Sequence, residues 1–170
     1  MSQNSFTQHC RQEADTAALA QRLALSISQF LKVDLGAHIN IALEGDLGAG
    51  KTTFARHLIQ GLGYEGRVKS PTYTLCESYP LTINSSALSM NHFDLYRMRD
   101  PLEWQEAGFV EHFDEPGFCL VEWPEKAGGT LPAFDIEIYL VAGEEECERK
   151  ISLKANSEHG ALVLEILQLQ

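Results

Sequence analysis

The chain has 170 residues, a formal net charge of −11 at neutral pH, 44% hydrophobic and 22% charged residues. That length suits one domain with a proper core. An acidic balance of this size argues against an independent DNA- or RNA-binding surface, because a phosphate backbone calls for a basic footprint, but it leaves room for a basic protein partner.

Cys10, Cys76, Cys119 and Cys147 are widely spaced and form no Cys-x-x-Cys pair, which argues for reduced thiols and against metal ligation. Met1 to Phe6 has neither a basic nor an apolar run, and no 18-residue apolar stretch follows. The expectation is a soluble, cytoplasmic protein without a membrane segment.

Residues 1–11 read as a polar lead-in. From about Gln12 to Val33, Leu19, Leu23, Ile27 and Leu31 recur every four residues, which predicts an amphipathic helix packed on a sheet. His38 to Leu43 then places large apolar residues at alternate positions, the pattern of a buried strand.

Gly45-Asp46-Leu47-Gly48-Ala49-Gly50-Lys51-Thr52 comes next, fitting the phosphate-binding pattern of Gly, four residues, Gly-Lys and Ser or Thr. At average residue usage a chance match occurs in roughly one chain in a hundred or fewer of this length. Phe54, Leu58 and Leu62 follow on one helical face, with Gly61 and Gly63 as a stop, so the loop has its required strand–loop–helix setting. Glycines let the backbone turn its N–H groups inward as an anion nest, and the helix adds its positive N-terminal end. Gly48, Ala49 and Gly50 are the expected cradle. Lys51 is expected to reach the β- and γ-phosphates, the Thr52 hydroxyl to ligate Mg²⁺, and Thr53 to meet an inner phosphate. The preceding helix can lie near the base, and Glu13 is named as a base contact without a residue-level reason to prefer it to its neighbours.

Tyr64 to Thr74 combines Gly, Pro, hydroxyls and two cations, where a segment sensing the γ-phosphate often sits. Thr72 is the first candidate and Ser70 the second, against the competing reading of an ordinary Ser-Pro turn. Leu75 to Tyr79 and Leu88 to Leu95 read as strands around a turn at Asn84-Ser85-Ser86, leaving Asp94 near a strand end. Asp100-Pro101-Leu102-Glu103 opens a short helix closed by Gly108.

Phe118 to Val121 is the cleanest buried strand, and it ends on Glu122. An acid at the end of such a strand is the usual second half of a phosphate-loop site, holding Mg²⁺ or orienting water. Asp94 competes for this role, and an exposed strand-end carboxylate is the plain alternative for either. Trp123-Pro124 would set an aromatic beside the site. Phe134 to Val141 and Arg149 to Leu153, joined by an acidic turn, predict an antiparallel hairpin and hence a mixed sheet. Ala161 to Leu167 reads as a short terminal helix.

Four blocks then occur in series: Gly45 to Thr53, Val68 to Leu75, His92 to Arg97 and Leu120 to Glu125. Together they resemble the bacterial TsaE (YjeE) family, the small ATPase of tRNA threonylcarbamoyladenosine synthesis, over about residues 40 to 125. The resemblance implies an α/β class, a single P-loop NTPase-like domain over 1–170 with a central mixed sheet, helices packed on it and a C-terminal hairpin. It implies ATP and Mg²⁺, with Gly48 to Thr53 on the phosphates and Thr52 and Glu122 on the metal. Asp94, Thr72 and Trp123 match family positions tied to nucleotide handling. It further implies work with TsaB and TsaD in modifying adenosine 37 of tRNAs that read codons beginning with A, with tRNA met only through that complex. The ends of the chain follow no usable family pattern.

On this reading Lys51, Glu122 and Asp94 carry a hydrolysis that is slow without partners. A small-molecule P-loop kinase is the runner-up, although Arg97 and Arg99 are the only close arginine pair to serve a lid. A nucleotide-dependent scaffold without required turnover is the third class. A GTPase fits poorly, since Asp114 to Gly117 matches Asp-x-x-Gly but no Asn-Lys-x-Asp follows.

Overall fold

Alternate-residue and every-fourth-residue hydrophobic patterns succeed one another along the chain, and a computed structural model describing residues 4–170 shows what each becomes. In chain order come β1 (Ser5–Cys10), α1 (Glu13–Val33), β2 (His38–Glu44), α2 (Lys51–Gly61), β3 (Cys76–Ile83) and β4 (Ser86–Asp94). They are followed by α3 (Glu103–Glu106), β5 (Gly117–Glu122), β6 (Ile136–Ala142), β7 (Arg149–Ala155) and α4 (Glu158–Gln168). Single 3-10 turns occupy Val110–Phe113 and Pro124–Ala127.

The strands form a seven-stranded mixed sheet in the order β1-β7-β6-β2-β5-β4-β3. β4, β5, β2 and β6 run parallel, and β3 and β7 run against their neighbours. The helical stripe is buried as expected: Leu19, Leu23, Ile27 and Leu31 of α1 are all fully inaccessible, as are Phe54 and Leu58 of α2. α1, α2 and α4 share one core with one side of the sheet. Phe93, Cys119 and Val121 face the other side, where Trp104, Phe113 and Ala127 cover them. Strand alternation therefore sends Met90, His92 and Asp94 of β4, with Phe118, Leu120 and Glu122 of β5, to the helical side.

The polar lead-in contains a strand that the sequence reading did not assign. β1 pairs antiparallel with β7 from Ser5↔Lys154 to Cys10↔Arg149. As an edge strand it needs only one apolar side, and Phe6 and Cys10 are too few to show a period. Residues 1–3 of that lead-in lie outside the described residues. The terminal helix is longer than expected because Ser157 caps it, its hydroxyl accepting the Gly160 N–H at 3.0 Å. The short helix expected from Asp100 starts later, at Glu103, after a turn in which Glu103 Oε1 accepts the Arg99 and Asp100 amides at 2.7 and 2.9 Å. One glycine sets the spacing of the central strands. A Cβ on Gly117, at φ +126°, would lie 2.0 Å from the Ser89 carbonyl oxygen of the neighbouring strand.

Candidate nucleotide-binding site

β2, β5 and β4 all end on the same edge of the sheet, and in an α/β sheet that edge is where ligands bind. From β2 the chain turns through Gly45 to Gly50 into α2. β5 delivers Glu122, and β4 delivers Asp94 as its direct register partner. These ends enclose a cleft of about 490 Å³ lined by Gly48 to Thr53, Ser70, Thr72, Asp94, Arg97, Glu122, Trp123 and Arg149, among others. The structure thus gathers every phosphate- and metal-side residue named from the sequence.

The loop requires its first glycine. Gly45 sits at φ +152°, and a Cβ there would lie 2.5 Å from the Leu140 carbonyl oxygen of β6. Gly48 and Gly50 also take positive φ, at +83° and +100°, which turns their peptides into the nest geometry. Lys51 is buried at the first turn of α2. Its Nζ donates to the Gly45 carbonyl and, at 3.2 Å, to the Asp46 carbonyl, and it lies 3.8 Å from the centre of the Trp123 ring. Burial pushes this ammonium below the usual lysine value, against the opposing pull of Glu122, Glu125, Asp94 and Asp46. Trp123 reaches it because its own backbone leaves the strand in the left-handed region, φ 57°.

Thr52 and Glu122 meet at the foot of the loop. The Thr52 hydroxyl donates to Glu122 Oε1 at 2.9 Å. The other carboxylate oxygen accepts Nε2–H of His92 at 2.7 Å, and both side chains of that pair are almost wholly buried. Asp94 is oriented by the Tyr96 amide, which donates to Oδ1 at 3.0 Å. Burial raises the Asp94 carboxyl above its usual range, the Tyr96 amide opposes this, and the Glu122 charge adds to the rise. The two carboxylates are therefore distinct: Glu122 is tied to the helix hydroxyl, and Asp94 is tied only to backbone.

On the opposite wall Ser70 and Thr72 share a hydrogen bond of 2.6 Å between their hydroxyls. Arg97 lies over the ring of Tyr73 at 4.5 Å. Glu13 does not line this cleft. With Thr16, Ala49, Gly50, Thr53, Cys147 and Arg149 it lines a smaller cavity of about 90 Å³ on the α1 side of the loop, and its carboxylate lies 3.4 Å from His57 and 3.7 Å from Arg56.

Two site residues, His92 and Arg149, escaped the sequence reading. Asn91 and His92 were polar interruptions of the β4 pattern, yet both are buried, held by Ser78 at 2.7 Å and by Glu122. The β4–β5 register sets His92 opposite Leu120 and so diagonally beside Glu122 on the same face, and no single-strand pattern contains that neighbour. Arg149 read as the start of a return strand, and it proves to reach the loop, donating from Nε to the Ala49 carbonyl at 2.7 Å.

The oxygen donors Thr52, Glu122 and Asp94 suit a hard cation such as Mg²⁺, which takes one or two protein ligands and completes its shell with phosphates and water. Among the described residues no group of three or more His, Cys, Asp or Glu could hold a metal ion on its own.

A family model described as "Threonylcarbamoyl adenosine biosynthesis protein TsaE" matches residues 10–151. The tRNA threonylcarbamoyladenosine biosynthesis protein TsaE of Haemophilus influenzae is 42% identical over 132 residues, covering 78% of this chain and 79% of that protein. The protein of the same name from Rickettsia felis is 34% identical over 152 residues, covering 89% and 81%. The crystal structure of YdiB from Bacillus subtilis matches with a TM-score of 0.73 and 28% identity over 97% of this chain and 95% of that one.

Proposed function

Since the chain belongs to the TsaE family of threonylcarbamoyl adenosine biosynthesis proteins, we propose that it is a Mg²⁺-dependent ATPase serving that tRNA modification. The observation that carries the reading is the Thr52–Glu122 hydrogen bond at the foot of the phosphate loop. It sets a helix hydroxyl and a strand-end carboxylate side by side, the pair a P-loop site uses on its metal.

In this mechanism Gly48, Ala49 and Gly50 bind phosphates through their amides, and Thr53 meets an inner phosphate. Lys51 leaves the Gly45 and Asp46 carbonyls to meet the β- and γ-phosphates. Thr52 and Glu122 would hold Mg²⁺, which when bound neutralises charge on the phosphate oxygens. His92 keeps the Glu122 carboxylate aimed at that position. Asp94, whose raised affinity for protons fits it to accept one, orients the attacking water. Thr72, with Ser70, senses the γ-phosphate across the cleft, and Trp123 covers Lys51 and excludes water. Glu13 and Thr53 line the same smaller cavity, which supports placing the adenine there.

The resemblance extends the proposal to partners. The protein acts with TsaB and TsaD on adenosine 37 in the cytoplasm, meets tRNA only through them, and does no carbamoyl chemistry itself. The test is phosphate release from ATP and GTP, with Mg²⁺ or EDTA, by the protein alone and with TsaB–TsaD. Slow, Mg²⁺-dependent, ATP-selective release that rises with the pair is expected. Fast turnover without partners would overturn the partner-driven reading, and transfer of the phosphoryl group to a metabolite would replace it with the kinase one.

A further inference from the structure

We propose that Arg149 is a positioning residue of the phosphate loop, holding the Gly48–Ala49 and Ala49–Gly50 peptides by their carbonyls so that the Gly50 N–H faces the ligand, while the Ala49 N–H closes the loop's turn on the Asp46 carbonyl at 3.0 Å. This rests on the nucleotide-site reading above. An anion nest needs successive amides turned inward, so the carbonyls of the same peptides must turn outward and find donors there. The guanidinium supplies them. Nε donates to the Ala49 carbonyl at 2.7 Å, and Nη2 reaches the Gly48 carbonyl at 3.4 Å. Its third nitrogen, Nη1, donates to the carbonyls of Glu146 and Glu148, both at 2.8 Å. The base of the side chain is fixed as well, because Arg149 pairs with Ala142 on β6 and with Cys10 on β1.

What the guanidinium passes over sharpens the case. The turn it belongs to carries Glu144, Glu145, Glu146 and Glu148, yet among the described residues Arg149 makes no ion pair. A residue serving only the hairpin would pair with those carboxylates. This one spends its planar fork on backbone oxygens, a geometry arginine matches and lysine does not. Its positive charge is therefore left without a carboxylate partner at the rim shared by both cavities. A Cβ on Gly50 would lie 3.4 Å from Nε, so the loop runs close against the guanidinium.

The test is calorimetric binding of ADP and of inorganic pyrophosphate to the wild type, Arg149→Met, Arg149→Lys and Arg149→Gln, with melting temperatures for each. Loss of two carbonyl clamps should weaken both ligands about tenfold in Arg149→Met. Arg149→Lys should recover only part of this, since a single ammonium cannot fork. Weakening of ADP alone would make Arg149 a ribose or base contact and overturn the proposal. So would full recovery in Arg149→Lys, which would reduce its role to charge. Lowered melting temperature with unchanged affinity would make the residue structural, and Arg149→Gln provides that comparison should Arg149→Met fold poorly. A wild type that binds neither ligand would instead overturn the nucleotide-site reading itself.

Discussion

Replacing Glu122 with Gln separates the two carboxylates of the cleft. Glu122 is 1% exposed, and its oxygens accept Thr52 at 2.9 Å and His92 at 2.7 Å. Gln keeps an oxygen for Thr52 but turns an NH₂ toward the His92 N–H, donor against donor. The imidazole has a way out. His92 Nδ1 is buried without a partner, so the proton can move there and leave Nε2 to accept. The exchange leaves Nδ1 unpartnered as before, now as a donor instead of an acceptor, and loses the charge assistance of a single bond. A net cost of about 1 kcal/mol follows, or roughly 2–4 °C in melting temperature at this chain length.

The variant therefore stays folded while the chemistry suffers. With a neutral amide on the metal side, ATP hydrolysis should fall about a hundredfold or more. Binding of ADP in EDTA, which depends on the loop and Lys51, should be unchanged. The assay pairs phosphate release over a Mg²⁺ titration with fluorescent-nucleotide binding with and without chelator. If Glu122→Gln keeps more than about a tenth of the wild-type rate, the assignment of Glu122 is refuted and Asp94 becomes the metal-side acid.

The remaining predictions use other parts of the cleft. The folded Asp94 carboxyl titrates above its unfolded value, so between the two values the folded state holds the extra proton and stability falls as pH rises. Asp94→Asn keeps the acceptor for the Tyr96 amide, and its melting temperature should exceed the wild type's at pH 7.5 by more than at pH 4.5, with hydrolysis reduced. Trp104 is buried with Nε1 bonded to Thr130 at 2.8 Å, whereas Trp123 sits on Lys51. Nucleotide binding should therefore change tryptophan emission, and Trp123→Phe should abolish the change. Cys147 is exposed on the smaller cavity, whereas burial pushes the Cys76 thiol up to about 12. At pH 8 a thiol reagent should modify Cys147 first, and saturating ADP should slow that reaction.

Much of this site was legible because its parts are local. The phosphate loop lies within one short run, and Glu122 and Asp94 end strands whose apolar patterns can be read alone. His92 and Arg149 were not legible, and the reason is the same for both. Each acts on a residue far away in sequence, through a strand register that no window contains: β4 on β5 for His92, β7 between β1 and β6 for Arg149. β1 was missed for a related reason, since an edge strand with one wet side needs few apolar residues.

The cleft residues that would hold nucleotide already hold one another. Lys51 rests on two loop carbonyls and an indole, Thr52 on Glu122, Glu122 on His92, and Ser70 on Thr72. Ligand binding then exchanges hydrogen bonds and adds few, so the gain comes from charge meeting charge in a buried site. The exchange must also move Lys51 from under Trp123, whose left-handed backbone conformation is sterically costly for a bulky residue. That makes Trp123 the natural point of control. A partner that draws the indole away frees Lys51 and favours the loaded site, whereas one that presses it down restores the resting pairs. The slow turnover proposed for the isolated protein would follow from this self-satisfied arrangement.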